Sequence, residues 1–85
     1  MKNNDYLRKQ IIYRSTHRGS KEMDLLLGNF VKQNINSFNY YELVELSKFL
    51  EMEDEILKRL YFDKNDKKFE TVKNVSEMFK KFKLD

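Results

Sequence analysis

Apolar residues recur along this chain at intervals of three and four, in short runs separated by polar residues. That is the period of helices packed through one face. Leu7 and Ile11, with Ile12 widening the stripe, predict a first helix from about Asp5 to Thr16. Asn3 or Asn4 is available to cap it. Tyr6 and Tyr13 flank the stripe, while Arg8, Lys9 and Arg14 fall where water can reach them. Met23, Leu26, Leu27, Phe30 and Val31 predict a second helix from around Ser20, which is available to cap it, to about Ile35. Glu22 and Asp24 lie in its first turns, where acidic side chains suit the positive end of the helix dipole. Gly28 within it costs about 1 kcal/mol relative to alanine, so its presence predicts close packing against a neighbour.

Asn34 to Asn39 reads as a polar turn. Asn39 followed by Glu42 has the spacing of a capping box, and Phe38 with Leu43 that of a hydrophobic staple. A third helix then uses Leu43, Leu46, Ser47 and Leu50, with Val44 and Phe49 alongside. The acidic break from Glu51 to Glu55 leads into a short fourth helix carrying Ile56, Leu57, Leu60 and Tyr61, with Asp54 as its natural cap. Asp63 to Lys68 is loop-like. Phe69, Val72, Val75, Phe79 and Phe82 predict a fifth helix along one side. No run alternates as a half-buried strand does. The expectation is all-α: a compact single-domain bundle of about five helices over residues 1–85.

Composition supports this and narrows the chemistry. The absence of proline and the presence of only two glycines allow long helical runs. Cysteine is absent, which excludes disulfides and thiolate metal sites, and the single His17 excludes a His-based cluster within one chain. The first residues carry no apolar signal core, and no stretch approaches the ~20 apolar residues that span a bilayer. The expectation is a soluble protein of a reducing compartment, a bacterial cytoplasm. The net charge of +3 concentrates late, at Lys64, Lys67, Lys68, Lys73, Lys80, Lys81 and Lys83. A nucleic-acid binder usually shows a stronger stripe together with base-reading side chains, so a solvated helix face is the plainer reading.

Candidate chemistry gathers at the junction of the first two helices, Thr16 to Asp24. Arg18 and Gly19 sit side by side there, with Glu22 and Asp24 just beyond. A glycine at a helix junction permits a positive φ or a close approach of another backbone. By spacing alone, Arg18 and Glu22 read as an exposed ion pair worth about 0.3–0.5 kcal/mol. His17, Ser20 and Asp24 supply the residue types of a hydrolase triad, but working triads converge from separate segments around a cleft and an oxyanion hole. Glu51, Glu53, Asp54 and Glu55 lack the glycine-containing loop of an EF-hand, and a helix-start acidic run explains them better. No catalytic residue and no metal site is expected. Tyr40 and Tyr41 stand where they could join an interface.

The run Arg18-Gly19-x-x-Glu22-x-Asp24, followed by Leu25-Leu26-Leu27-Gly28-x-Phe30, resembles the signature of the succinate dehydrogenase FAD assembly factors, the flavinylation factors. Leu50-Glu51-x-x-Asp54 is similar to the second segment of that family, and the likeness extends from Leu7 to Phe82. His17 stands where the family commonly has a second arginine, which makes that charge pH-dependent. Glu55 replaces a frequent proline, and the chain has no tryptophan.

The resemblance implies a protein that is not an enzyme. It would bind the flavoprotein subunit of succinate dehydrogenase, and in some cases that of fumarate reductase, and promote covalent attachment of FAD to a histidine of that subunit. FAD would be acquired by the partner, with none bound tightly by this chain, which would be a monomer when free. The implied partner-binding residues are His17, Arg18, Gly19, Glu22 and Asp24. Arg18 and Glu22 would be polar contacts, and Gly19 would let the two backbones approach. Asp24 would either touch the partner or receive backbone N–H groups of its own chain. Of other classes, a small basic helical nucleic-acid binder using the late lysines and an adaptor for another enzyme complex remain as alternatives.

Overall fold

A computed structural model describes residues 2–63 and 73–83. Among these residues five α-helices follow in order: α1 (Lys2–Thr16), α2 (Lys21–Asn34), α3 (Tyr40–Phe49), α4 (Asp54–Phe62) and α5 (Lys73–Lys81), with a 3-10 turn at Ile35–Ser37 between α2 and α3. Among the described residues there is no strand, and the fold is an all-α single domain. No helix among the described residues is long and apolar enough to cross a membrane.

The hydrophobic period does what it predicts. Ile11, Met23, Leu26, Leu27, Phe30, Val31, Leu43, Leu46, Leu57, Leu60, Val75 and Phe79 are all buried in one core. Phe30 sits at its centre, with ring centroids 5.2 Å from Phe79, 5.5 Å from Phe82 and 6.3 Å from Phe49. The Phe79 and Phe82 contacts are edge-on, the arrangement favoured by ring quadrupoles. Tyr61 closes this cluster from α4, its ring 5.1 Å from Phe79 and its hydroxyl donating to the Phe82 carbonyl at 2.8 Å. The predicted core positions Phe69 and Val72 lie outside the described residues.

Local signals fix two helix starts. Ser20 has extended backbone and its hydroxyl accepts from the Met23 N–H at 3.2 Å. Asn39 accepts from the Glu42 N–H at 2.9 Å, and Glu42 reaches back to the Asn39 N–H at 2.8 Å, completing a capping box. Asn39→Ala is therefore expected to cost about 1 kcal/mol. Chemical denaturation checks this: the midpoint should fall with the m-value unchanged.

At Gly28, α2 packs closely against α1. A Cβ built there would lie 3.1 Å from the Thr16 Cγ2, so the glycine is a contact point between the two helices.

Several expectations need correction. α1 begins at Lys2, so Asn3 and Asn4 lie inside it and do not cap it. Ile12 is exposed and does not widen the buried stripe; Ser15 is buried instead, donating to the Ile12 carbonyl at 2.9 Å. Arg8 and Arg14 are half-buried and not free in water. Arg8 donates to the Ile35 and Phe38 carbonyls at 3.4 and 3.2 Å, and Arg14 donates to the Ser47 hydroxyl at 3.0 Å. The turn from Asn34 to Asn39 is not wholly polar in its packing, because Ile35 and Phe38 are buried.

Glu53, not Asp54, occupies the cap position of α4, and it makes no side-chain capping bond. The late lysines do not form one solvated face: Lys80 is buried, whereas Lys81 and Lys83 are exposed. Lys64, Lys67 and Lys68 lie outside the described residues.

Candidate functional site: the corner between α1 and α2

Residues 17–20 make the corner between α1 and α2, and each has a distinct task. His17 Nδ1 lies 2.8 Å from the Tyr13 carbonyl, so it donates there and satisfies one of the carbonyls left open at the end of α1. The same nitrogen is 3.0 Å from the Thr16 hydroxyl, and the imidazole stacks on Tyr13 with centroids 4.0 Å apart and planes 18° from parallel. Gly19 then turns the chain with φ +113°, a region that side-chain-bearing residues rarely adopt. Ser20 caps α2.

Arg18 holds the corner in place. Its backbone N–H donates to Asp24 Oδ1 at 2.5 Å, tying the loop to the first turns of α2. Its guanidinium reaches across to the turn between α3 and α4. There Nε donates to Asp54 Oδ1 at 2.8 Å, and the terminal nitrogens donate to the Leu50 and Met52 carbonyls, each at 2.5 Å. A guanidinium suits this place because it offers several donors in a fixed fork. It also puts positive charge at the carbonyl end of α3, where the helix dipole favours it. Asp54, in the first turn of α4, is favourably placed at the opposite dipole end.

The Arg18 side chain is 11% exposed and that of Asp54 28% exposed, so the pair is largely withdrawn from water. The expected exposed pair between Arg18 and Glu22 therefore does not form: Arg18 turns inward, and Glu22 stands exposed on α2.

The expected site residues accordingly separate into two groups. Gly19, Glu22 and His17 are exposed and face solvent. Above Gly19 there is open space, with nothing within 4 Å of where a Cβ would sit. Arg18 and Asp24 instead lie behind that surface and hold it in position. The residues of the apparent triad do not converge on one another. His17 is bonded to Tyr13, Ser20 to the Met23 amide and Asp24 to the Arg18 amide. Among the described residues no group of His, Asp or Glu side chains gathers as a metal site.

Sequence reasoning missed Asp54 as the partner of Arg18. A signal for it existed. Leu50-Glu51-x-x-Asp54 resembles one family segment and Arg18-Gly19 the other, and Arg18 bonds both the Leu50 carbonyl and the Asp54 carboxylate. The two stretches that carry the resemblance are physically one unit. It also missed two hollows beside the corner. One, of about 570 Å³, lies between α2 and α4, and another of about 400 Å³ lies along α2 beside Thr16 and Gly28.

The model of a family described as the flavinator of succinate dehydrogenase matches residues 9–83, which include both segments joined by Arg18. The chain belongs to that family. Among curated relatives, the FAD assembly factor SdhE of Acetobacter pasteurianus is 38% identical over 47 residues, 55% of this chain and 43% of that protein. The mitochondrial succinate dehydrogenase assembly factor 2 of Arabidopsis thaliana is 40% identical over 45 residues, 53% of this chain and 24% of that protein. The matched part thus spans less than half the length of either relative. No solved structure matches the chain.

Proposed function

We propose that this chain is an assembly chaperone that docks on the flavoprotein subunit of succinate dehydrogenase and promotes covalent attachment of FAD to that subunit. The family match across residues 9–83 carries the reading. The corner supplies a means: an exposed, sterically open backbone at Gly19, flanked by Glu22 and His17 and fixed from behind by Arg18. Such a surface can hold a partner in one conformation. Holding reacting groups in line can lower a barrier by several kcal/mol without any catalytic group being donated.

In this reading the chain is not an enzyme, and FAD belongs to the partner. The flavoprotein of fumarate reductase is a second client of the same chemistry. A cysteine-free chain suits the reducing interior of a bacterial cytoplasm, and the free chain acts as a monomer. The nucleic-acid alternative is weakened by the burial of Lys80, which takes one cation out of the late basic run. A salt titration separates the two readings. Phosphate binding weakens with a log–log slope near −0.9 per contact on duplex DNA, whereas docking through an open backbone and a few side chains depends on salt less.

The direct test is co-purification of the untagged flavoprotein with the tagged chain. Recovery of a stoichiometric complex is expected, and none under conditions where both proteins are folded would overturn the reading.

Glu22 gives a sharper test of the docking surface. Because it is exposed, Glu22→Ala should change stability by no more than about 0.5 kcal/mol, as surface substitutions usually do. Its affinity for the flavoprotein should nevertheless fall. Normal affinity in titration calorimetry would remove Glu22 from the docking surface.

A further inference from the structure

None of the side chains or carbonyls that Arg18 engages at the corner lines the groove between α2 and α4. It encloses about 570 Å³, walled by Met23 and Leu26 of α2 and by Tyr61 of α4. Leu25 and Phe62 also line it, yet 58% and 72% of their surfaces remain exposed. Covering two large apolar side chains is favourable in proportion to the area removed from water. Glu22 and Lys58 supply the charges of the lining.

We propose that this groove receives an apolar side-chain anchor from the succinate dehydrogenase flavoprotein, flanked by an acidic group that meets Lys58. The docking surface would then run from Gly19 across α2 to α4, and the inference rests on the docking function proposed above. Three observations select this occupant.

The first is continuity: Glu22 both lines the groove and stands three residues from Gly19, and both are exposed. The second is size. Seven residues line the groove, whereas a stable interface draws roughly 20–30 residues from each side. The groove is too small to hold a second copy of this chain by itself, but it suits an anchor pocket within a larger footprint.

The third is the chemistry of the lining. A nucleotide cofactor needs several convergent donors for its phosphates. The groove offers one lysine, and the Tyr61 hydroxyl is already donated to the Phe82 carbonyl. Lys58 itself is open to a partner, its side chain 42% exposed and its 4.0 Å contact with Glu55 made at an exposed position.

The test uses the full chain and the purified flavoprotein. Leu25→Gln, Phe62→Gln and the double variant replace exposed apolar groups with a polar side chain, so their melting should stay close to that of the unsubstituted chain. The double variant should raise Kd at least tenfold. Tyr6→Gln, at a 66% exposed position on α1 outside the groove, should leave Kd within twofold. If a glutamine variant melts much lower, Leu25→Ala and Phe62→Ala provide the same comparison at smaller perturbation.

Groove variants that bind within twofold, beside a Gly19→Arg variant that does not bind, would overturn the groove and leave the docking function standing. An unsubstituted chain that fails to bind the flavoprotein would overturn both. A self-association that Leu25→Gln abolishes, or a free-FAD affinity that Phe62→Gln abolishes, with flavoprotein binding unchanged, would reassign the groove and overturn the proposal.

Discussion

Gly19→Arg is expected to abolish flavinylation of co-expressed flavoprotein, while Gly19→Ala retains most of it, although both variants lose similar thermal stability. The shared loss comes from the backbone. Gly19 holds φ +113°, and placing a side-chain-bearing residue in such sparsely populated territory costs about 1–3 kcal/mol. The cost does not grow with side-chain size, because nothing lies within 4 Å of the added Cβ. For a domain of this length, each 1 kcal/mol lowers Tm by about 4–8 °C.

The difference between the two variants comes from the partner. A methyl group leaves most of the open backbone accessible, whereas an arginine fills the space a docking backbone would enter. Thermal melts beside the covalent flavin content of the partner separate the two effects. Equal retention of flavinylation by both variants would make Gly19 a turn residue only.

Arg18→Ala is expected to cost about 3–5 kcal/mol, the range for removing one member of a largely buried ion pair. It leaves the Asp54 carboxylate and the Leu50 and Met52 carbonyls without the donors they have now. It also detaches the corner from the turn between α3 and α4, so docking should fail together with stability. This reverses what spacing alone suggests, which is an exposed pair with Glu22 and a negligible loss.

Arg18→Lys should recover only part of the stability, since a single ammonium cannot reproduce the forked donation to three acceptors. Equilibrium denaturation of Arg18→Ala, Asp54→Ala and the double variant would show the coupling: the two single losses should sum to well over the double one. Additive losses would mean that the 2.8 Å contact contributes little.

The contrast between Gly19 and Arg18 shows what the sequence discloses and what it withholds. Features set by residues within one turn of each other were legible: the Asn39–Glu42 capping box, the Ser20 cap and the apolar stripe from Met23 to Val31. Gly28 was legible as a close contact because a mid-helix glycine has a cost that packing must offset. What the sequence concealed were contacts made across the fold. Arg18 finds Asp54 36 positions later, and Arg8 finds carbonyls 27 and 30 positions later. On a helical wheel such arginines look solvated, because the wheel contains no neighbouring helix.

The shift of the α4 cap from Asp54 to Glu53 has the same origin. Once Arg18 engages Asp54, that side chain is committed to another segment and does not fold back on its own helix. The motif of the candidate site was readable, but the division of labour within it was not. The family resemblance groups Arg18, Gly19, Glu22 and Asp24, and only the three-dimensional arrangement separates the residues that face out from those that hold them.

The central claim is that the chain promotes covalent flavin attachment by docking. The most direct measurement expresses the flavoprotein, with and without this chain, in a host lacking any factor of this family, and reads flavin fluorescence that survives denaturing electrophoresis. A docking chaperone predicts strong covalent fluorescence on the flavoprotein band only when the chain is present, and its loss with Gly19→Arg. Equal covalent flavin with and without the chain would contradict it.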